Sequence, residues 1–105
     1  MAKYTFEQNG KDCRVTMQGD LVASVIPDLQ AALKLQLQPG VAEIVFDLAA
    51  TVMLDSSGIG LLIAASNTIA RQQGRVRVLN VSPDILRLLQ SMRLASRLNA
   101  SGREA

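Results

Sequence analysis

The apolar positions of this chain follow two different periods, and the places where the period changes mark its elements. Tyr4 to Gln8 alternates with a period of two, with Tyr4 and Phe6 on one face and Thr5 and Glu7 on the other. Cys13 to Gln18 repeats the alternation, with Cys13, Val15 and Met17 inward and Arg14, Thr16 and Gln18 outward. Asn9-Gly10 between the two runs is a hairpin turn signal. Gly19-Asp20 ends the hairpin, and helical spacing takes over. Ser24 is a good N-cap and Pro27 is tolerated in a first turn, so a helix is predicted from near Ser24. Ile26, Leu29, Leu33 and Leu37 form its buried stripe, and Pro39-Gly40 stops it.

Ala42 to Leu48 reads as a central strand, because Ile44, Val45 and Phe46 run together as in a strand buried on both faces. Ala49 to Leu54 is a loop or strand extension. Ser56 or Ser57 then caps a second helix that runs to about Gln73, with Gly74 as its stop. Arg75 to Leu79 alternates as a strand with one wet face. Ser82-Pro83-Asp84 is a helix start, with a cap, a proline at the first position and an acid in the first turn. That third helix carries Ile85, Leu88, Leu89 and Met92. Leu94 to Leu98 adds a short strand or turn, and Asn99 to Ala105 is polar and expected to fray. The order β-β-α-β-α-β-α needs crossover connections between parallel strands. The expectation is one α/β domain over residues 1–98, with a mixed, mostly parallel sheet packed by helices.

Composition narrows the chemistry. The chain has 105 residues, enough for one domain. Three aromatic residues leave the core to aliphatic side chains. The lone Cys13 excludes an intrachain disulfide and falls on an apolar face, as a core thiol does. The absence of histidine removes the commonest general base and metal ligand, so neither a metal site nor a cofactor is expected. Met1 to Glu7 holds no apolar signal core. The longest uncharged stretch, Ser56 to Ala70, is too short to span a bilayer. A cytoplasmic location without membrane insertion follows as an expectation. Charge is uneven: residues 1–70 carry four basic and seven acidic side chains, a net of −3. Residues 71–105 carry seven arginines against two acids, a net of +5. The arginines are scattered over several elements with no aromatic among them, which reads as a solvated face rather than a nucleic-acid surface.

The segment that carries chemistry is Val52-Met53-Leu54-Asp55-Ser56-Ser57-Gly58-Ile59-Gly60-Leu61-Leu62-Ile63, placed after a buried strand where it opens a helix. Loops at that place are where α/β sheets usually put their sites. Asp55 and the serines could simply cap the helix, and the glycines could simply let it pack closely on the sheet. Yet one cap needs one oxygen, and three polar residues stand in a row ahead of a nearly unbroken apolar run. Such a helix is either fully buried or shows an apolar face to a partner. A hydroxyl at an exposed helix N-terminus can also carry a phosphate, which the helix dipole and open N–H groups stabilise.

Strand, Met-Leu-Asp-Ser-Ser-Gly-Ile-Gly, helix, Gly, strand, Ser-Pro, helix resembles the STAS domain, and most of all the bacterial anti-sigma factor antagonists. The resemblance covers roughly residues 4 to 98, with Gly19 and Ser82-Pro83 matching two further family positions. It implies phosphorylation of the serine directly after the aspartate, here Ser56, with Ser57 as the competing acceptor. It implies an anti-sigma factor that is also a serine kinase as the partner, and a phosphatase that resets the switch. The partner surface it implies is Asp20, Asp55, Ser57, Gly58, Ile59 and Leu61. Where members often read Gly-Glu-Leu-Asp, this chain has Gly19-Asp20-Leu21-Val22, so the last acid is replaced by Val22. Either Asp20 covers that role or the partner surface has diverged.

Other classes fit less well. Without histidine a Ser-His-acid triad cannot form, and the chain reads as no enzyme. Gly58-Ile59-Gly60 lacks the third glycine of a dinucleotide loop, because position 63 is Ile63, and no G-K-[ST] follows. The alternative function is a phosphorylation-independent STAS module in a sensory complex, or a small subunit of a membrane transporter.

Overall fold

The computed structural model of the protein describes residues 3–103. Its elements are β1 (Tyr4–Asn9), β2 (Asp12–Met17), α1 (Ile26–Gln36), β3 (Glu43–Asp47), α2 (Ser56–Arg71), β4 (Arg75–Val81), α3 (Pro83–Ser91) and β5 (Ala100–Gly102). One five-stranded sheet has the order β1-β2-β3-β4-β5. The β1–β2 hairpin is antiparallel and every later neighbour is parallel. Each parallel step crosses in the same direction through one helix, so right-handed crossovers put α1, α2 and α3 on one face. This is the mixed α/β sheet that the alternating periods predict.

The core lies between that face and the helices. Val15, Met17, Ile44, Phe46, Val76 and Val78 reach it from the strands, and Leu29, Leu33, Leu62, Ile69, Ile85 and Leu89 from the helices. Cys13 lies in this core, and burial pushes its thiol up from the ordinary range. The opposite face has no helix over it. There Arg14 pairs with Asp47 at 2.6 Å, while Arg75 and Arg77 hold Glu43 at 2.7 and 3.5 Å. These side chains lie over Val45 and Asp47, which are therefore buried on the open side of the sheet. Burial alone would raise the Asp47 pKa. The Asn80 amide, the Ala49 N–H and the Arg14 guanidinium outweigh it and hold the carboxyl below the usual range.

Several sequence expectations are corrected. The α1 helix begins at Ile26 after Val25, and Ser24 makes no cap, because the chain turns once more before the helix. On α3, Ile85 and Leu89 are buried but Leu88 and Met92 are exposed, since one face of a short helix meets the sheet. The α2 helix ends at Arg71, and its left-handed residue is Gln73 (φ 62°), not Gly74. Gly74 is needed for a close approach instead: a Cβ there would lie 2.6 Å from the Ala42 carbonyl oxygen. Residues 99–103 do not fray. Leu98 is fully buried and the Asn99 amide donates to the Val76 carbonyl at 2.8 Å, which brings Ala100–Gly102 alongside β4 as β5. Leu94 to Leu98 is the turn that leads there. Residues 104 and 105 lie outside the described residues.

Candidate functional site

Two loops meet at the C-terminal ends of the parallel strands: residues 18–25 between β2 and α1, and residues 48–55 between β3 and α2. Asp20 joins them, with Oδ1 accepting the Val52 and Met53 N–H groups at 2.9 and 3.0 Å. The buried Thr51 hydroxyl donates to the Gly19 carbonyl at 2.8 Å. The Leu21 N–H donates to the Met53 carbonyl at 3.1 Å. Asp55 completes the junction with both oxygens. Oδ1 accepts the Gly58 N–H at 2.9 Å and so caps α2, and Oδ2 accepts the Ala23 N–H at 2.9 Å from the other loop. Those two bonds, Gly58 first, hold the Asp55 carboxyl below the usual carboxylate range.

Gly58 seals the junction. A Cβ at that position would lie 2.2 Å from the Leu21 carbonyl oxygen and 2.7 Å from Leu54 Cδ1. No side chain can therefore stand where α2 crosses the first loop.

This geometry sorts the residues expected at a partner surface. The cap of α2 is Asp55, and neither serine is used for it. Ser56 is exposed at the first position of α2, and Ser57 is half-buried beside it. Ile59 and Leu61 are only 8% and 6% exposed, and Gly58 is buried too. Gly58 and Ile59 belong to the core, because the apolar run of α2 meets the sheet on one side and α1 on the other, while Leu61 is buried in the wall of the groove between α1 and α2. Asp20 and Asp55 are at the site, but their carboxylates hold backbone N–H groups. Asp20 thus ties the two loops together through Oδ1.

The sequence reading placed Val52 and Met53 in the key segment but not at the partner surface. They are 74% and 60% exposed on the loop that leads into Ser56, and they form an apolar tip that no element among the described residues covers. Two large apolar side chains in a segment too short for a strand were the available signal. From Ser57 a groove of about 480 Å³ runs between α1 and α2, floored by Gly60, Ala64 and Leu33. Exposed hydroxyl, apolar tip and groove together make a surface suited to binding a protein. Among the described residues no helix is long and apolar enough to cross a membrane.

The model of the STAS domain family matches residues 3–103, nearly the whole chain. The chain belongs to the STAS domain family. Solved STAS structures agree. The Bacillus cell fate determinant SpoIIAA in its phosphorylated form has a TM-score of 0.78 at 20% identity, covering 96% of this chain and 91% of that one. The anti-sigma factor antagonist SpoIIAA in its unphosphorylated form has 0.73 at 22%, covering 83% and 81%. An anti-sigma-factor antagonist (STAS) domain protein from Planctomyces limnophilus has 0.81 at 20%, covering 99% and 92%. At these identities the likeness establishes the STAS fold. No curated protein sequence matches the chain.

A pH dependence follows from the junction. A carboxyl whose folded pKa lies below its unfolded value contributes stability above the unfolded pKa, and that contribution is lost as pH falls through the folded pKa. Asp55 and Asp47 are both of this kind. From these carboxyls the melting temperature is expected to be flat between about pH 5 and about pH 8 and to drop below about pH 4. Asp55→Asn should shrink that drop in thermal melts across the same pH series. An unchanged acid slope would remove Asp55 from the account.

Proposed function

We propose that this STAS protein is an anti-sigma factor antagonist that binds an anti-sigma factor with serine kinase activity and is released by phosphorylation of Ser56. The observation that carries the reading is the state of the Asp55-Ser56 pair. Asp55 takes over the capping of α2, which leaves the Ser56 hydroxyl exposed at a helix N-terminus with no structural task. Ser57 is half-buried and faces the groove, which favours Ser56 as the acceptor. The likeness to SpoIIAA, which is described in both phosphorylated and unphosphorylated forms, supports the same reading. A phosphate adds a charge of about −1.5 to −2 next to Asp55 and the apolar Val52–Met53 tip. Repulsion from a partner's acids and the cost of desolvating the phosphate both oppose binding. The protein is a binding module in this account, with a phosphatase restoring the hydroxyl.

The test is phosphopeptide mass spectrometry on the protein from its native host, sampled across growth conditions. Phosphate on Ser56 is expected. Phosphate on Ser57 alone would move the acceptor. Abundant protein with neither would leave the phosphorylation-independent module as the function.

A further inference from the structure

We propose that two copies of this chain pair edge to edge through β1, antiparallel, about a two-fold axis at Thr5. The β1 strand is a sheet edge of six residues with β2 on one side only. Its free backbone groups can be assigned. Asn9 faces Asp12 across the two-residue turn, and the Gln18 N–H donates to the Lys3 carbonyl at 2.8 Å. In an antiparallel pair the bonded residues alternate, so Lys3, Thr5, Glu7 and Asn9 point their backbone groups at β2. Tyr4, Phe6 and Gln8 point theirs at the open edge, where a further strand can add.

Charge selects what adds and in which register. Lys3 and Glu7 are exposed on the same side of β1 as Thr5, and neither enters an ion pair among the described residues. An axis at Thr5 sets Lys3 opposite Glu7 of the second copy, twice by symmetry, and lets Tyr4 and Phe6 exchange backbone bonds across the edge. An axis at Glu7 would oppose two carboxylates, and an axis at Phe6 would leave both charges facing neutral residues. Strand β1 is thus complementary to itself in one register.

The helix layer supplies a second, independent contact. The Tyr4 hydroxyl donates to the Asp28 carboxylate at 2.6 Å, which places that face of α1 above β1. Ala31 and Leu35 follow Asp28 on the same face at helical spacing. Both are exposed, Leu35 by 74%. An antiparallel second copy brings its own α1 to the same side of the joined sheet, where Ala31 and Leu35 are exposed apolar side chains. The other sheet edge offers no such match, since β5 has three residues and an irregular register.

Sedimentation equilibrium on the full chain tests this. The wild type should be a dimer in the micromolar range. Lys3→Glu and Glu7→Lys should each raise the dimer Kd about tenfold, and the double exchange should restore it. Circular dichroism melts check that each variant folds, because Glu7→Lys faces Arg14 across the hairpin. A second readout is Thr5→Cys in a Cys13→Ala background. The two cysteines would stand opposite each other at the axis, within disulfide reach, and should crosslink on mild oxidation. A monomeric wild type, a dimer indifferent to both reversals, a double exchange as weak as the single ones, or a folded Thr5→Cys variant that does not crosslink overturns the proposal.

Discussion

Gly58→Ala is expected to destabilise the protein by about 3 kcal/mol, and to lower its melting temperature by about 15 °C. The cause is local and severe. The new methyl would lie 2.2 Å from the Leu21 carbonyl oxygen, a backbone atom that cannot swing aside as a side-chain end can. Either α2 lifts from the first loop or that loop leaves Asp55 and Met53. In both cases the Ala23, Leu21 and Val52 hydrogen bonds that shape the site are strained together. Gly60→Ala is the control, two residues along the same helix. A Cβ there meets nothing within 4 Å. Alanine in an exposed helix position stabilises by about 0.5–1 kcal/mol relative to glycine, so this variant should melt a few degrees higher. Thermal melts of the two variants side by side check the sign as well as the size. Equal melting temperatures would show that the helix–loop contact is looser than the structure has it.

Ser56→Asp is expected to weaken binding to the anti-sigma factor by about 100-fold, with a melting temperature close to that of the wild type. Two effects separate here because of where Ser56 lies. An acid in the first turn of a helix is favoured by the open N–H groups and the dipole, so the fold tolerates it. The same charge beside Asp55, in a surface whose other components are Val52 and Met53, must be desolvated when a partner covers it. Ser56→Ala should bind as tightly as the unmodified wild type and resist release by the kinase. The measurement is titration calorimetry against the partner captured with Ser56→Ala. Wild-type affinity in Ser56→Asp would sink the switch, while lost affinity with a lost cooperative melt would instead point to damage at the helix end.

The element order was legible because burial imposes a period and the period is visible in one dimension. Tyr4 to Met17 alternates since only one face of that hairpin meets the core, and Ser82-Pro83-Asp84 marks a helix start because its hydroxyl accepts the Ile85 N–H only three residues on. Local chemistry of this kind needs no knowledge of distant neighbours. The Asp55-Ser56-Ser57-Gly58 junction was legible for the same reason, as polar residues and glycine at a strand-to-helix boundary.

What tertiary structure decided involves partners some thirty residues away. Ile59 and Leu61 look like an apolar surface along the sequence, and become buried because α1 closes over the side of α2 that the sheet leaves open. The carboxylates of Asp20 and Asp55 look available for a partner, and are instead held by N–H groups of the opposite loop. Residues 99–103 look like a polar tail, and become β5 because Leu98 is drawn into the core and Asn99 finds the Val76 carbonyl. The sequence by itself thus determined the order of the first seven elements, which face of most of them is apolar, and where a modifiable hydroxyl could stand. Only the folded chain decided which apolar residues remain outside and which polar groups remain unspent, because both depend on what packs against them rather than on their own spacing.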